Sequence, residues 1–334
     1  MKKRTDIKKP PILFSKTQEI INSITKHSKA DFMAYWISVN GRINSDDPLV
    51  FYDVIKNNTK RHETLYLFIK SDGGSGEASL RIVNLFRQFY KQIIAYVPLE
   101  CASAATMLVL GANIIKMGPL AYLSAIDTSL THDLSPLDRY NGLVSVSQNQ
   151  LSRVLNLWDK KKQPTDLNPY LEIYKYIHPL VIGAVDRASS LSNKITTEIL
   201  SYHMTDKVEA ERISNFLNSE YPSHSFPITY KEAKSLGLNV EILDPEINDL
   251  LLKLNEHYSE MAQMAYTDYD EENYHDNEIL KVIEGSGIQL YYQKDKDWHY
   301  RPDEKRWIPM NDESSWRKID KSNKSKEPEA FYIG

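Results

Sequence analysis

Two short segments carry residue types that together suit acyl transfer. Lys70-Ser71-Asp72-Gly73-Gly74-Ser75-Gly76 follows the apolar run Leu65-Tyr66-Leu67-Phe68-Ile69 and precedes a stretch with helical spacing. Paired glycines at such a turn let the backbone approach a ligand closely and aim N–H groups into a cleft at the carboxyl end of a sheet. Their chemical use is an oxyanion hole or an anion site, and their structural use is a tight turn. The third glycine of the dinucleotide fingerprint is missing, and no Gly-Lys-Ser/Thr follows, so neither a Rossmann turn nor a P-loop is encoded. The second segment is Pro98-Leu99-Glu100-Cys101-Ala102-Ser103-Ala104-Ala105-Thr106. A serine there sits at a helix N-terminus, where unpaired N–H groups and the macrodipole favour developing negative charge. Ser103 is a candidate nucleophile on that ground, and serine is equally a preferred helix cap.

The elements that must position these turns read as α/β. Phe32 to Val39 forms a strand pattern, Pro48 to Asn57 a helix, Leu65 to Ile69 a central strand, and Ala78 to Tyr90 a helix. Ile93 to Val97 is a further strand, Thr106 to Leu110 lies in the next helix, and Ile114 to Met117 is a short strand. Near-continuous apolar strands alternating with amphipathic helices predict a parallel sheet built from right-handed crossovers. Ser145 to Met204 reads as mainly helical, Tyr230 to Leu236 as a helix stopped by Gly237, and Asp244 to Met264 as a last helix.

Composition bounds the function. The 334 residues hold 41 Lys plus Arg and 45 Asp plus Glu, a net charge of −4, which argues against a general nucleic-acid binder. The single cysteine, Cys101, excludes an internal disulfide and a cysteine-based zinc site. No His-Glu-x-x-His is present, so neither metal nor cofactor is expected. Ile93 to Ile115 is long enough to span a bilayer, but Pro98, Glu100 and the small residues at 101–105 split it into strand, turn and helix. A soluble, cytoplasmic chain is expected. Residues 1–30 read as a polar lead-in ending in a helix with Ile20, Ile21 and Ile24 on one side. Residues 31–265 read as the main domain. The stretch 266–282 is expected to be an acidic linker, since Tyr266 to Leu280 has six acidic residues and no Lys or Arg. Residues 283–334 then read as a small β-rich or interaction tail containing Trp298, Trp307 and Trp316.

The motifs taken together resemble a known family. Strand-Ser71-Asp72-Gly73-Gly74-Ser75, then Cys101-Ala102-Ser103-Ala104-Ala105-Thr106, Lys116-Met117-Gly118-Pro119 and Ala125-Ile126-Asp127 are similar to the serine dehydrogenase proteinase family. That family is signal peptide peptidase A-like and belongs to the Clp-protease/crotonase fold group. Ile177-His178-Pro179 through Arg187, Ser223 to Ile228, and Leu236-Gly237-Leu238 extend the resemblance over roughly residues 30–260. It implies a spiral of mainly parallel strands with a helical arm and a small C-terminal appendage. It also implies a metal-independent serine endopeptidase acting on polypeptide and a homo-oligomer. An ATPase partner is neither indicated nor excluded.

Carried over by position, the resemblance implies Ser103 as nucleophile and the N–H groups of Gly74 and Ala104 as the oxyanion hole, with Gly73 shaping the turn. Two positions depart from the family, which usually has a proline before the glycine pair and a glycine two residues after the serine. Here Asp72 and Ala105 stand there. For the base, His224 with Asp127 gives Ser103–His224–Asp127, the order of the acid and base positions of the Clp proteolytic subunit being exchanged. His132 in the loop after Asp127 and Lys175, which would act as the lysine of a Ser/Lys dyad on a packed helix, are the alternatives. Two other functions fit the same motifs: an inactive homologue that binds peptide or serves in assembly, and a crotonase-like acyl-CoA enzyme.

Overall fold

The computed structural model describes residues 6–26, 28–139, 141–160, 168–321 and 328–333. The chain divides into two compact units, Met1–Leu123 with Thr229–Gly334, and Ser124–Ile228.

In the first unit, α1 (Phe14–Thr25) leads into β1 (Asp31–Ile37), α2 (Asp47–Asn57), β2 (Thr64–Lys70), α3 (Gly76–Phe89) and β3 (Gln92–Val97). The short β4 (Glu100–Cys101), α4 (Ala104–Val109), β5 (Ile114–Met117) and β6 (Tyr122–Leu123) follow. In the second unit, β7 (Ser129–Leu130) and β8 (Val146–Ser147) pair, and α5 (Gln148–Asp159), α6 (Pro169–Ile173), α7 (Pro179–Ser201) and α8 (Lys207–Ser219) complete it. Val146, Leu151, Val181 and Val185 form its small core. The chain then returns to the first unit with α9 (Tyr230–Ser235), β9 (Val240–Ile242) and α10 (Pro245–Met261). It ends with β10 (Ala265–Asp268), β11 (Asn273–Gly285), β12 (Ile288–Arg301), β13 (Arg306–Asp312), β14 (Ser315–Asp320) and β15 (Glu329–Phe331).

The architecture is mixed α/β around a mainly parallel central sheet. Strands β1, β2, β3, β5 and β9 run parallel in that order. β1 is buried along its whole length, as expected of a strand covered on both faces. Sequence signals set the helix ends: Ser75 caps α3 by accepting from the Ala78 N–H, and Asp244 with Pro245 opens α10. Ile20, Ile21 and Ile24 of α1 share one core with Phe32, Trp36, Leu254 and Tyr258, so the expected lead-in packs onto the sheet. Its residues 1–5 and 27 lie outside the described residues.

The C-terminal quarter differs from the expected linker and tail. Residues 266–282 form β10 and most of β11, and β11 pairs antiparallel with β1, extending the central sheet through β12, β14 and β15. The linker expectation failed because it took acidic composition as a sign of solvation. Six polar residues of β11 are buried, and among them His275, Asp276, Glu278 and Glu284 each have a side-chain partner. Asp276 pairs with Lys294, Glu278 accepts from the Asn40 amide, and His275 lies 2.9 Å from Asp297. Pairing offsets part of the desolvation penalty that composition alone assigns to such a strand.

Among the described residues, no helix is long and apolar enough to cross a membrane, and Ile93 to Ile115 resolves into β3, α4 and β5 as the split pattern predicts.

Candidate active site

The glycine turn and the serine turn are joined side by side within the first unit. The Ser71 N–H donates to the Glu100 carbonyl at 3.1 Å, and the Ala102 N–H returns the bond to the Ser71 carbonyl at 2.9 Å. Both turns leave neighbouring parallel strands, so both emerge at the carboxyl end of the sheet. Thr106 reaches back to the Cys101 carbonyl at 2.8 Å and Ser79 of α3 donates to the Ala104 carbonyl at 2.8 Å, both bonds buried. These two hydroxyls clamp the serine turn from opposite directions. Sequence reasoning did not single them out for this, although a threonine three residues after Ser103 was visible.

Ser103 has φ +54° and ψ −121°, a left-handed backbone that a non-glycine residue rarely adopts. It is half-buried, at the strand-to-helix turn that opens α4. Such strain costs about 1–3 kcal/mol and persists only where the surrounding structure over-determines it. Gly73, at φ +107°, is what fits against it. A Cβ on Gly73 would lie 2.7 Å from the Ser103 Cβ, 2.8 Å from the Ala102 carbonyl oxygen and 3.1 Å from the Ala104 nitrogen. Gly73 therefore packs directly against the backbone of the Ser103 turn. Gly74, at φ +146°, is equally constrained, because a Cβ there would sit 2.5 Å from the Ile43 nitrogen. Ile43 fixes the turn by donating to the Gly73 carbonyl and accepting from the Ser75 N–H, each at 2.9 Å.

The two departures have different consequences. Ala105 is fully buried inside α4 and is not among the residues with positive φ, so its methyl group is accommodated. Asp72 is exposed, and its charge acts with that of Glu100 on the Tyr122 hydroxyl, which burial chiefly pushes up. Glu100 is itself neutralised by Lys70 at 2.9 Å. Burial and the Glu100 charge push the Cys101 thiol well up, so it is a neutral core residue.

In the second unit, His224 Nδ1 lies 2.8 Å from Asp127 Oδ1, across 97 residues of sequence. The turn Ser223-His224-Ser225-Phe226 holds the histidine, with the Phe226 N–H donating to the Ser223 carbonyl and the Phe226 ring stacked on Tyr221 at 5.0 Å. Asp127 is fixed through its neighbour: the Ile126 N–H donates to Leu217 of α8 at 3.0 Å, and the Ile126 carbonyl accepts from Ser192 of α7 at 3.0 Å. The hydrogen bond to Asp127 raises the His224 imidazole above its ordinary value, against a smaller opposing effect of burial. A proton on Nδ1, held by Asp127, leaves Nε2 as the acceptor, the tautomer a general base requires.

The alternative bases are engaged otherwise. His132 Nδ1 accepts from the Leu134 N–H at 3.1 Å, closing its own loop. Lys175 sits in an exposed turn after α6 rather than on a packed helix, and it is ion-paired to Glu172 at 2.7 Å. That bond raises its ammonium above the ordinary lysine value, the opposite of what a dyad base needs. His178 caps α7 by accepting from the Leu180 N–H.

No protein-family model matches this chain, and no curated protein does. Among solved structures, the chain is similar to a mutant of the 1510-N membrane-bound stomatin-specific protease. The two are 18% identical, the match covers 67% of this chain and 85% of that one, and the TM-score is 0.39. A likeness of that degree assigns no activity.

Proposed function

We propose that this chain is a serine hydrolase that cleaves peptide bonds internally, on a Clp-protease/crotonase-like fold. The single observation that carries the proposal is the backbone of Ser103, held at φ +54° against the Gly73–Gly74 turn. A strained serine at a strand-to-helix turn, with backbone N–H groups beside it, is the arrangement of a nucleophile elbow. Ser103 Oγ attacks the scissile carbonyl while its proton passes to His224 Nε2, and Asp127 stabilises the imidazolium. The N–H groups of Gly74 and Ala104 take the oxyanion. Collapse of the tetrahedral intermediate breaks the C–N bond, and the amine leaves with the proton from His224. Water then hydrolyses the acyl-serine by the same steps in reverse. The motif resemblance supports polypeptide over other acyl substrates. Exposed Val154, Leu157, Tyr176 and Leu180 support assembly of a homo-oligomer through the second unit.

The exposed carboxylate of Asp72 beside the glycine turn favours a second reading, an inactive homologue that retains the site for peptide binding. A crotonase-like acyl-CoA enzyme needs no strained serine and has less support. Labelling with a fluorophosphonate probe separates these. Wild type is expected to label and to cleave an unfolded protein substrate, and Ser103→Ala is expected to do neither, with its melting temperature nearly unchanged. Wild type that neither labels nor cleaves would leave the binding homologue. Labelling and cleavage that survive Ser103→Ala would end the peptidase proposal.

A further inference from the structure

Ile43, whose backbone fixes the Gly73–Gly74 turn, lies in the connection at 38–46 between β1 and α2. Strand β11 ties that connection down at three points. The Asn40 amide donates to Glu278 at 2.8 Å, and the Ser38 N–H donates to the Leu280 carbonyl at 2.9 Å. Lys281 Nζ donates to the Arg42 carbonyl at 3.3 Å and to Asp47 Oδ1 at 2.6 Å. Gly41 is pressed against the same strand, since a Cβ there would lie 2.4 Å from the Leu280 carbonyl oxygen. The other oxygen of Asp47 closes the connection by accepting from the Asn44 N–H at 2.8 Å and the Tyr35 hydroxyl at 2.5 Å.

A bulge aims Lys281 at this place. Ile279 faces Gln293 of β12 and Lys281 faces the adjacent Tyr292, which leaves Leu280 as an extra residue. Ile279 and Val282 therefore share one core although they are three residues apart, a spacing that puts side chains on opposite faces of a regular strand. Lys281 is turned to the other face, onto Asp47 of α2. Asp47, Tyr35 and Lys281 are all buried. Desolvating two charges offsets much of their attraction, so such a pair is weak evidence of stability and its use lies in the geometry it imposes. Strand β11 begins beyond the stretch whose motifs resemble the proteinase family.

We infer that β11 belongs to the frame of the active site, with Lys281 a positioning residue for the oxyanion hole. Through Asp47 and the Arg42 carbonyl it holds the connection so that Ile43 keeps the glycine turn against Ser103. The inference rests on the hydrolase proposal. Lys281→Met would leave a buried carboxylate unpaired, whereas Asp47→Asn/Lys281→Met removes both charges and avoids that cost. In the double variant, exchange of the Ile43 and Ser75 amide protons is expected to speed up at least about tenfold, with the amides of β3 unchanged. The kcat per fluorophosphonate-titrated serine is expected to fall about ten- to a hundredfold with KM nearly kept, the mark of lost transition-state stabilisation. Asn40→Ala, at an exposed position, cuts another tie of the same connection and is expected to move both readouts the same way by a smaller factor. Lys318→Met cuts a different ion pair between the C-terminal strands and α2, Lys318–Asp53 at 2.7 Å, and is expected to leave both at wild type. Wild-type exchange at Ile43 and Ser75, or an unchanged kcat beside faster exchange, would overturn the inference and leave the hydrolase proposal standing. Wild type that does not label would remove the hydrolase proposal and the inference with it.

Discussion

Two histidine–aspartate pairs in this chain share a 2.8 Å Nδ1–Oδ1 separation and differ in what surrounds the carboxylate. Asp31 accepts from three donors and is locked into the start of a central strand, so it ties His62 and Tyr90 to the core. Asp127 has His224 as its side-chain partner and is positioned indirectly, through the backbone of Ile126. A carboxylate saturated by core donors serves the fold. One that spends its bond on a single exposed imidazole can set that imidazole's tautomer and basicity. The distance between histidine and aspartate therefore says little about role, and the remaining partners of the aspartate say more.

The largest expected effect follows from His224. If it is the base, His224→Ala lowers turnover on the order of 10³-fold or more, with melting temperature nearly kept. Peptide cleavage at wild-type rate in that variant would break the contrast between the pairs. On the same condition, Asp127→Asn should cost somewhat less turnover, because a histidine base without its orienting carboxylate keeps part of its function. Asp31→Asn should instead cost about 1–3 kcal/mol of stability in denaturant unfolding, because the amide cannot accept from both His62 and Tyr90.

A smaller effect appears in the pH profile. Asp127 raises the His224 pKa above the ordinary 6.5; if His224 is the base it must be neutral to act, and turnover should rise as pH climbs through that raised value. Asp127→Asn removes the carboxylate that chiefly raises it, keeping the backbone hydrogen bond and the opposing effect of burial, so the acid limb moves to lower pH. The stability contributed by the pair has the opposite sense: it is present below about 6.5 and lost as pH rises through the folded value. A limb that stays in place in Asp127→Asn would assign it to another group.

Glu284 sharpens the comparison as a buried carboxylate with no histidine at all. It accepts from Thr17, Gln18, Gln289 and Tyr258, yet burial pushes its carboxyl up to about 7. Because the folded value exceeds the ordinary 4.5, protonation favours the fold, and the advantage shrinks as pH rises between 4.5 and about 7. The difference in melting temperature between wild type and Glu284→Gln should therefore fall across that interval and level off above it. A difference that does not vary with pH would mean that Glu284 keeps one charge state throughout.

The sequence by itself determined the parallel strands, the helices between them and the place of both turns. Apolar runs such as Leu65 to Ile69 and caps such as Ser75 are local signals, readable without knowing what lies across the sheet. It also paired His224 with Asp127 as candidates, by motif order. Only the tertiary structure decided the left-handed backbone of Ser103 and its fit against Gly73, since that strain is imposed by the Ile43, Ser79 and Thr106 contacts from distant or neighbouring turns. Only the tertiary structure turned an acidic stretch into the central strand β11, because partners of Glu278 and Glu284 include Asn40, Thr17 and Gln18, more than 230 residues earlier. Composition records that a chain carries charge, and what it costs depends on partners that folding supplies.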